Sequence, residues 1–289
     1  MGGGSWTTMN YVSHSTATRG FADMDSFLSA STQDLYQATG LHSALNPYKV
    51  VRECCDSEEH PNTLPVILAL DVTGSMGSAA SAVAKQLDEI MTEIYASVQD
   101  VEFMIMAIGD LSYDRAPIQA SQFESDVRIA DQLEKVYFER GGGGNAFESY
   151  TAAWYFGLNN TKLDCWKRGK KGIIITMGDE PLNPYLPKIP LEMKLGCTLQ
   201  GDVETKDLYR EVIEKFDIYH IAIDDARTSY SRYKDRIDSS FGNLLGENLR
   251  VSTCDELYRT IADIVTGQAA QSERIIGVDM ASSNDFVSW

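Results

Sequence analysis

The sequence predicts an α/β fold, in which a doubly wound, mostly parallel central sheet carries helices on both faces. Short apolar runs alternate with longer stretches in which apolar residues recur every three or four positions. This alternation is typical of βα units in a parallel sheet. The short runs lack polar alternation, as expected of strands that are buried on both faces. An N-terminal arm and a C-terminal tail flank the predicted domain.

The composition indicates a globular protein and excludes some partners. Of the 289 residues, 43% are hydrophobic and 23% are charged, which suffices to bury a core. The 42 acidic and 25 basic residues give a net charge of −17. Because nucleic acids and anionic membranes attract basic surfaces, we expect neither as a partner. We interpret the one basic run as a solvated loop before a strand, namely Lys167, Arg168, Lys170 and Lys171.

The cysteines and the first residues of the sequence both indicate in which cellular compartment the protein is expected. Five cysteines are present, an odd number, and no CxxC pair occurs. We expect free thiols in a reducing compartment rather than a disulfide framework or a zinc site. No segment has about 20 consecutive apolar residues, and the first residues do not resemble a secretory signal. These features favour a cytoplasmic location.

We divide the chain into an arm at 1–63, a main domain at 64–268 and a polar tail at 269–289. The arm is rich in small polar residues and has weak periodicity. Two interpretations of it remain open: a short helix within 26–41, or an extended segment that wraps the main domain. The four prolines within 181–202 predict a loop there.

Within the main domain, the pattern predicts alternating strands and helices. The predicted strands lie at 65–71, 101–109, 118–123, 172–176, 217–223 and 248–252, with 118–123 at an edge and 66–70 central. The predicted helices lie at 79–98, 126–139, 147–158, 205–216 and 230–245. A capping box at 253–256 predicts the start of one more helix.

Ligands bind at the carboxyl ends of the strands in such sheets, so the residues after each strand are candidate site residues. The first strand is followed by Asp71, Thr73 and Ser75. In a tight turn, these alternate side chains would converge as hard oxygen donors of the kind that Mg²⁺ and Ca²⁺ prefer. The same residue types also cap helices, and the residues alone leave both interpretations open. We expect Asp71 to point into a solvated cleft.

Enzymatic interpretations of the same turn fit less well. A phosphate-binding loop would need a lysine that Gly74–Gly77 lacks. A nucleophile elbow would need the pattern Gly-x-Ser-x-Gly, whereas here Ser75 directly follows Gly74. Asp71 as the nucleophile of a phosphatase would normally have a second acid two residues later, where Thr73 stands. We therefore expect no enzymatic activity and keep a metal-dependent hydrolase as the least favoured alternative.

The segment 66–77, including Asp71, Thr73 and Ser75, resembles the first motif of von Willebrand factor type A (VWA) domains. That motif, Asp-x-Ser/Thr-x-Ser, is part of the metal-ion-dependent adhesion site (MIDAS). The resemblance covers about 64–268 and implies a Rossmann-like α/β fold. With its arm rich in Gly, Ser, Thr and Tyr, the chain is similar in general composition to intracellular bacterial or phage-encoded members of the family.

The family's second and third motifs are altered in this chain. Where a glycine-rich loop usually carries a threonine, the chain has four glycines followed by Asn145 and Glu148, one of which would take its role. The usual aspartate position after the third strand holds Met177, and the nearest acids are Asp179 and Glu180. The resemblance therefore implies a metal site made from Asp71, Thr73, Ser75, Asn145, Glu148 and Asp179, with Glu180 behind Asp179.

The resemblance implies a protein-binding module, in which a carboxylate of a partner protein completes the coordination of a bound Mg²⁺, with Ca²⁺ or Mn²⁺ as alternatives. Its partners would be proteins, for example the subunits of a larger assembly or an ATPase. The alternative is a structural or assembly subunit that binds its neighbours through the arm and the tail.

Overall fold

The computed structural model describes residues 6–139 and 147–283, the last stretch (271–283) by its backbone alone. The central sheet has the strand order β10-β9-β6-β2-β3-β4. Neighbouring strands are parallel, except for β4, which pairs antiparallel with β3 at the edge. The strands are β1 (Arg52–Cys54), β2 (Leu64–Asp71), β3 (Val101–Ile108), β4 (Ile118–Ala120), β5 (Thr161–Leu163), β6 (Gly172–Gly178), β7 (Tyr185–Leu186), β8 (Val203–Glu204), β9 (Phe216–Ile223) and β10 (Leu249–Ser252).

Helices cover both faces of the sheet, and each face has its own buried apolar cluster. The predicted fold class is therefore confirmed, including the central position of β2. The helices are α1 (Thr8–Ser13), α2 (Met24–Ser29), α3 (Thr32–Leu35), α4 (Gly77–Lys85), α5 (Leu87–Tyr95), α6 (Arg128–Glu134), α7 (Thr151–Asn159), α8 (Lys188–Leu195), α9 (Thr205–Val212), α10 (Tyr230–Leu245) and α11 (Leu257–Ser283).

The arm is neither one helix nor an extended segment. Its described residues form α1, a π-helical turn, α2 and α3, which pack against α4 and α5, followed by a 3-10 turn and by β1, which pairs with β5. Tyr11 and Tyr36 are buried and donate hydrogen bonds to the carbonyls of Ala84 and Ala80 at 2.7 and 2.8 Å. Each arm helix has at most six residues, too few to show a helical period in the sequence. The arm's apolar residues belong to the core of one face of the sheet.

The helix predicted at 79–98 is two helices, α4 and α5, which meet at Gln86. The Gln86 side chain contacts the start of α11. Its amide nitrogen donates to the carbonyl of Cys254, just before the helix, at 3.0 Å, and its oxygen accepts from Tyr258 N in the helix at 3.3 Å. Only half of the capping box predicted at 253–256 forms, since the Glu256 carboxylate pairs with Arg259.

The proline-rich stretch 181–202 is not all loop, because it contains α8. Pro187 precedes the helix and Pro190 lies in its first turn, where the missing amide would have no helical acceptor anyway. The segment that follows residue 268, predicted as a polar tail, continues α11 as far as Ser283. Among the described residues, no helix is both long and apolar enough to span a membrane.

The docking of the arm can be tested at Phe27, which is fully buried against Tyr11 and Phe21. The substitution Phe27→Ala should lower the free energy of unfolding by about 3–5 kcal/mol, because it leaves a cavity in the shared core. Leu28, the next residue, is 45% exposed, so Leu28→Ala should change it by less than about 0.5 kcal/mol. Urea denaturation of both variants measures the difference, and equal small effects would show that the arm is not part of the folded core.

Candidate functional site

Asp71 ends the central strand β2 and is fully buried. One of its carboxylate oxygens, Oδ1, accepts hydrogen bonds from the backbone amide and the hydroxyl of Thr73, at 2.8 and 2.6 Å. The expectation that Asp71 points into a solvated cleft is therefore wrong. The chain turns back over Asp71 directly after the strand, and the carboxylate itself holds this turn.

Ser75 and Asp179 form the second half of the site. The Ser75 hydroxyl donates to Asp179 Oδ1 at 3.1 Å, which joins the turn after β2 to the turn after β6. The other oxygen of Asp179 accepts from the backbone amide of Ser229, in the loop that leads into α10. Asp179 is buried, whereas Ser75 is partly exposed and lines a surface cavity. We call Asp71, Thr73, Ser75 and Asp179 the edge site.

Tyr150 connects the edge site to the helix layer, a contact that the sequence did not predict. It lies directly before α7, and its hydroxyl donates to Asp71 Oδ2 at 2.9 Å and accepts from Glu180 N at 3.3 Å. Its ring is fully buried and contacts the rings of His220 and Phe241. Burial raises the pKa of Tyr150 well above its ordinary value, and nearby carboxylates add to this, so the hydroxyl remains a donor.

Gly178 is the residue that lets Tyr150 reach Asp71. A β-carbon at this last position of β6 would lie 2.0 Å from the Tyr150 hydroxyl, far inside any allowed contact. Gly178 therefore stands where the tyrosine hydroxyl approaches the sheet, and the acid Asp179 follows directly after it.

Further acids lie beside the edge site: Glu148, which is near Asp71, and Glu180, which is near Asp179. Asp110 and Asp114 are in turn near Glu148. Glu148 forms a β-bridge with Leu182, and the Ser149 hydroxyl accepts from Leu111 N at 3.0 Å. Glu148 therefore lies between the turns that follow β3 and β6. One carboxylate oxygen each of Asp110, Glu148 and Glu180 is buried without a hydrogen-bond partner among the residues that the structure describes.

The electrostatics of the site are dominated by buried carboxylates, with Arg236 and Arg232 acting on Glu180 in the opposite sense. Burial, and then the charge of Asp179, raises the pKa of Asp71 above its ordinary value. The pKa of Glu148 is raised in the same way, by burial and then by Asp71 and Glu180. Burial, followed by Asp179, raises the pKa of Glu180 to about 7. Among the described residues, no lysine or arginine forms an ion pair with Asp71 or Asp179.

The donor set of the edge site fits Mg²⁺. It offers carboxylate and hydroxyl oxygens alone, the ligand class that Mg²⁺ prefers, and it lies where buried negative charge lacks a counterion. Hydrogen bonds link Asp71 to Thr73 and Ser75 to Asp179. Asp71 and Asp179 are also near enough for the charge of Asp179 to raise the pKa of Asp71.

Two predicted ligands stand apart from this set. Asn145 lies outside the described residues. In the part of the chain that the structure describes, the acids Asp71, Asp179 and Glu148 do not form a group whose ligand atoms all lie within 4.8 Å of one another. Glu148 therefore belongs to the surroundings of the edge site in this structure.

One group of potential ligand atoms does meet that distance limit, and it lies away from the sheet edge. It consists of His14 on the arm with Asp131 and Glu134 on α6. His14 Nε2 lies 2.5 Å from Glu134 Oε1, and the same oxygen lies 2.9 Å from Arg19 Nε. Because Arg19 already supplies a cation to Glu134, we interpret this group as an ion-pair network that holds the arm on the domain.

Comparison with known proteins supplies fold neighbours alone. No family model and no curated protein matches the sequence. Among solved structures, the chain is similar to the pilus adhesin SpaC from Lactobacillus rhamnosus GG in its open conformation (11% identity, TM-score 0.49), over 76% of this chain and 31% of the adhesin. It is also similar to proximal thread matrix protein 1 from the mussel byssus (12% identity, TM-score 0.47), over 77% of this chain and 49% of that protein. The chain thus spans about a third of the one and about half of the other.

The raised pKa values predict how stability depends on pH. The folded state holds a proton on Glu180 more tightly than the unfolded chain does, so metal-free stability should fall as pH rises from about 4.5 to about 7. Saturating Mg²⁺ should reduce this fall, because a bound cation compensates the ionised carboxylates. Thermal unfolding across that range, in EDTA and in Mg²⁺, measures both effects.

A matched pair of variants separates the effect of Glu180 on the pH dependence of stability from the effect of removing any one negative charge. Glu180→Gln should reduce the slope of the metal-free pH dependence without abolishing it, because Asp71 and Glu148 also have raised pKa values. Glu58→Gln, at an exposed position, should leave the slope unchanged. If stability falls equally with pH in the wild type and in Glu180→Gln, the raised pKa of Glu180 in the folded state is contradicted.

Proposed function

We propose that this chain is a protein-binding module that uses a divalent cation, Mg²⁺ in the first instance, to hold a carboxylate of its partner. The observation that carries the proposal is the edge site. Two buried carboxylates, Asp71 and Asp179, lie beside the hydroxyl groups of Thr73 and Ser75 at the carboxyl edge of a parallel sheet. No lysine or arginine among the described residues forms an ion pair with either carboxylate. When bound, the metal supplies an open coordination position for a carboxylate from outside.

Different residues of the chain would have different roles in such a site. Thr73 and Tyr150 fix the orientation of Asp71 through their hydrogen bonds. Ser75 is the member of the edge site that lines a surface cavity, so a partner would approach from its side. The surrounding acids would repel a partner carboxylate without the cation, and they make binding depend on the metal.

The structure gives less support to the two alternatives. Asp71 is a poor nucleophile for a hydrolase, since it is fully buried and both of its oxygens accept hydrogen bonds. An assembly subunit that binds neighbours through its arm would need that arm to be available. Here Tyr11, Phe27 and Tyr36 are buried in the core of their own chain.

The test is recovery of partner proteins by the immobilised protein from a native extract. Recovery in Mg²⁺ should fall at least about tenfold in EDTA and return when Mg²⁺ is restored, because a charge-assisted contact of this kind is worth several kcal/mol. Ser75→Ala and Asp179→Asn should show the same loss without chelator.

Asp224→Asn is the matched control, because Asp224 also follows a strand at this edge of the sheet but is exposed and outside the edge site. It should recover partners as the wild type does. Thermal unfolding of each variant confirms that it is folded. Equal recovery by all variants and in EDTA would show that partner binding does not use the metal site.

A further inference from the structure

The edge site opens into a groove beneath the arm. Ser75 lines a cavity of about 290 Å³, whose other walls include Thr32 and Tyr36 of the arm, and Arg227. A second cavity of about 710 Å³ shares Thr32 and Arg227 with the first and extends along α4 to Lys85. We call these two adjoining cavities the arm groove.

The arm wall of this groove is firmly attached. The Thr32 hydroxyl lies 2.9 Å from the carbonyl oxygen of Gly77 and 2.6 Å from the Ser81 hydroxyl, both on α4. The buried Tyr36 hydroxyl donates to the carbonyl of Ala80 one turn further along the same helix. The groove is therefore a preformed feature of the folded chain, and a ligand would not have to pay for its ordering.

Arg227 lines both cavities and lies in a turn that hydrogen bonds fix. The Thr228 hydroxyl donates to the carbonyl of Ile223 at 2.7 Å and accepts from Asp225 N at 3.1 Å. Two residues after Arg227, the amide of Ser229 donates to Asp179 of the edge site. The loop that carries Arg227 is therefore tied by its backbone to Asp179, a candidate metal ligand.

The charges of the groove differ from those of the whole chain. In a protein with a net charge of −17, Arg227 is the one charged residue among the described residues that line the cavity beside Ser75. The longer cavity adds Lys85, against one acid, Asp255. Neither Arg227 nor Lys85 forms an ion pair within the described ranges 6–139 and 147–283. Arg227 is exposed and Lys85 is half-buried, so both are available to an anionic ligand.

We propose that the arm groove binds an extended acidic peptide segment of a partner protein. One carboxylate of the segment binds the cation held at the edge site, and others pair with Arg227 and Lys85. The contact at the edge site rests on the proposed function. The proposal extends that function by stating that the partner segment is acidic. It also gives the arm a function, since its third helix forms one wall of the binding site.

The length of the groove sets the length of the segment. The helix between Gly77 and Lys85 rises by about 12 Å, at 1.5 Å per residue. An extended peptide covers about 3.3 Å per residue. About four residues therefore reach from the edge-site end of the groove to Lys85, and one more would contact the edge site.

The probe is fluorescein-labelled hexaglutamate, with hexaglutamine and hexalysine for comparison, and the readout is fluorescence polarisation in Mg²⁺. The wild type should bind hexaglutamate in preference to the other two peptides. Arg227→Gln should weaken binding about threefold or more, and Lys85→Gln about twofold, as expected of partly exposed ion pairs. Gln33→Trp should also weaken binding, because it places a large ring in the groove without altering a charge.

Two variants control for the loss of positive charge in general. Lys206→Gln and Arg250→Gln remove exposed cations that do not line the groove, and they should bind hexaglutamate as the wild type does. An equal loss in these controls, a preference for hexalysine, or no binding of hexaglutamate would overturn the proposal.

The same titrations separate this inference from the metal-dependent function. If EDTA and Ser75→Ala release the peptide while Arg227→Gln and Gln33→Trp have no effect, the groove is not the binding site and the proposed function stands. If Arg227→Gln and Gln33→Trp weaken binding while EDTA and Ser75→Ala do not, the groove stands as the peptide site and the metal-dependent function is wrong.

Discussion

The structure depends on the burial of two carboxylates, Asp71 and Asp179, at the carboxyl edge of the central sheet. Burying an isolated charge costs several kcal/mol, and a second like charge nearby adds to that cost. Hydrogen bonds from Thr73, Ser75, Tyr150 and the amide of Ser229 offset part of it. The remainder is met by protonation or by a cation, and the oxygen donors of the site favour a divalent cation at neutral pH.

Several features of the fold follow from this constraint. Gly178 has no side chain where the Tyr150 hydroxyl must pass to reach Asp71. The loop before α10 approaches the sheet edge so that its amide can bind Asp179, and this also fixes Arg227. The arm closes over α4 beside Ser75 and turns an open edge into a groove. The turn that binds Asp179 and the arm helix that packs on α4 therefore form neighbouring walls of one groove beside Ser75.

Much of this fold was predictable, since uninterrupted apolar runs such as 66–70 and 172–176 have few uses other than buried parallel strands. The turn after β2 was predictable for the same reason, because Asp71, Thr73 and Ser75 are adjacent in sequence. The role of Tyr150 was not, because the contact joins residues 79 positions apart and a tyrosine before an aromatic helix resembles a core residue. The burial of Asp71 and the short helices of the arm also depend on tertiary packing, which leaves no local period.

The central claim is that the edge site holds a cation, and diffraction from crystals grown with Mn²⁺ tests it most directly. Mn²⁺ accepts the same oxygen ligands as Mg²⁺ and gives an anomalous signal. The account predicts an anomalous peak in contact with the side-chain oxygens of Ser75 and Asp179, and its loss in crystals of Asp179→Asn. Crystals that contain Mn²⁺ and show no peak there, or show one only at His14, Asp131 and Glu134, would contradict it.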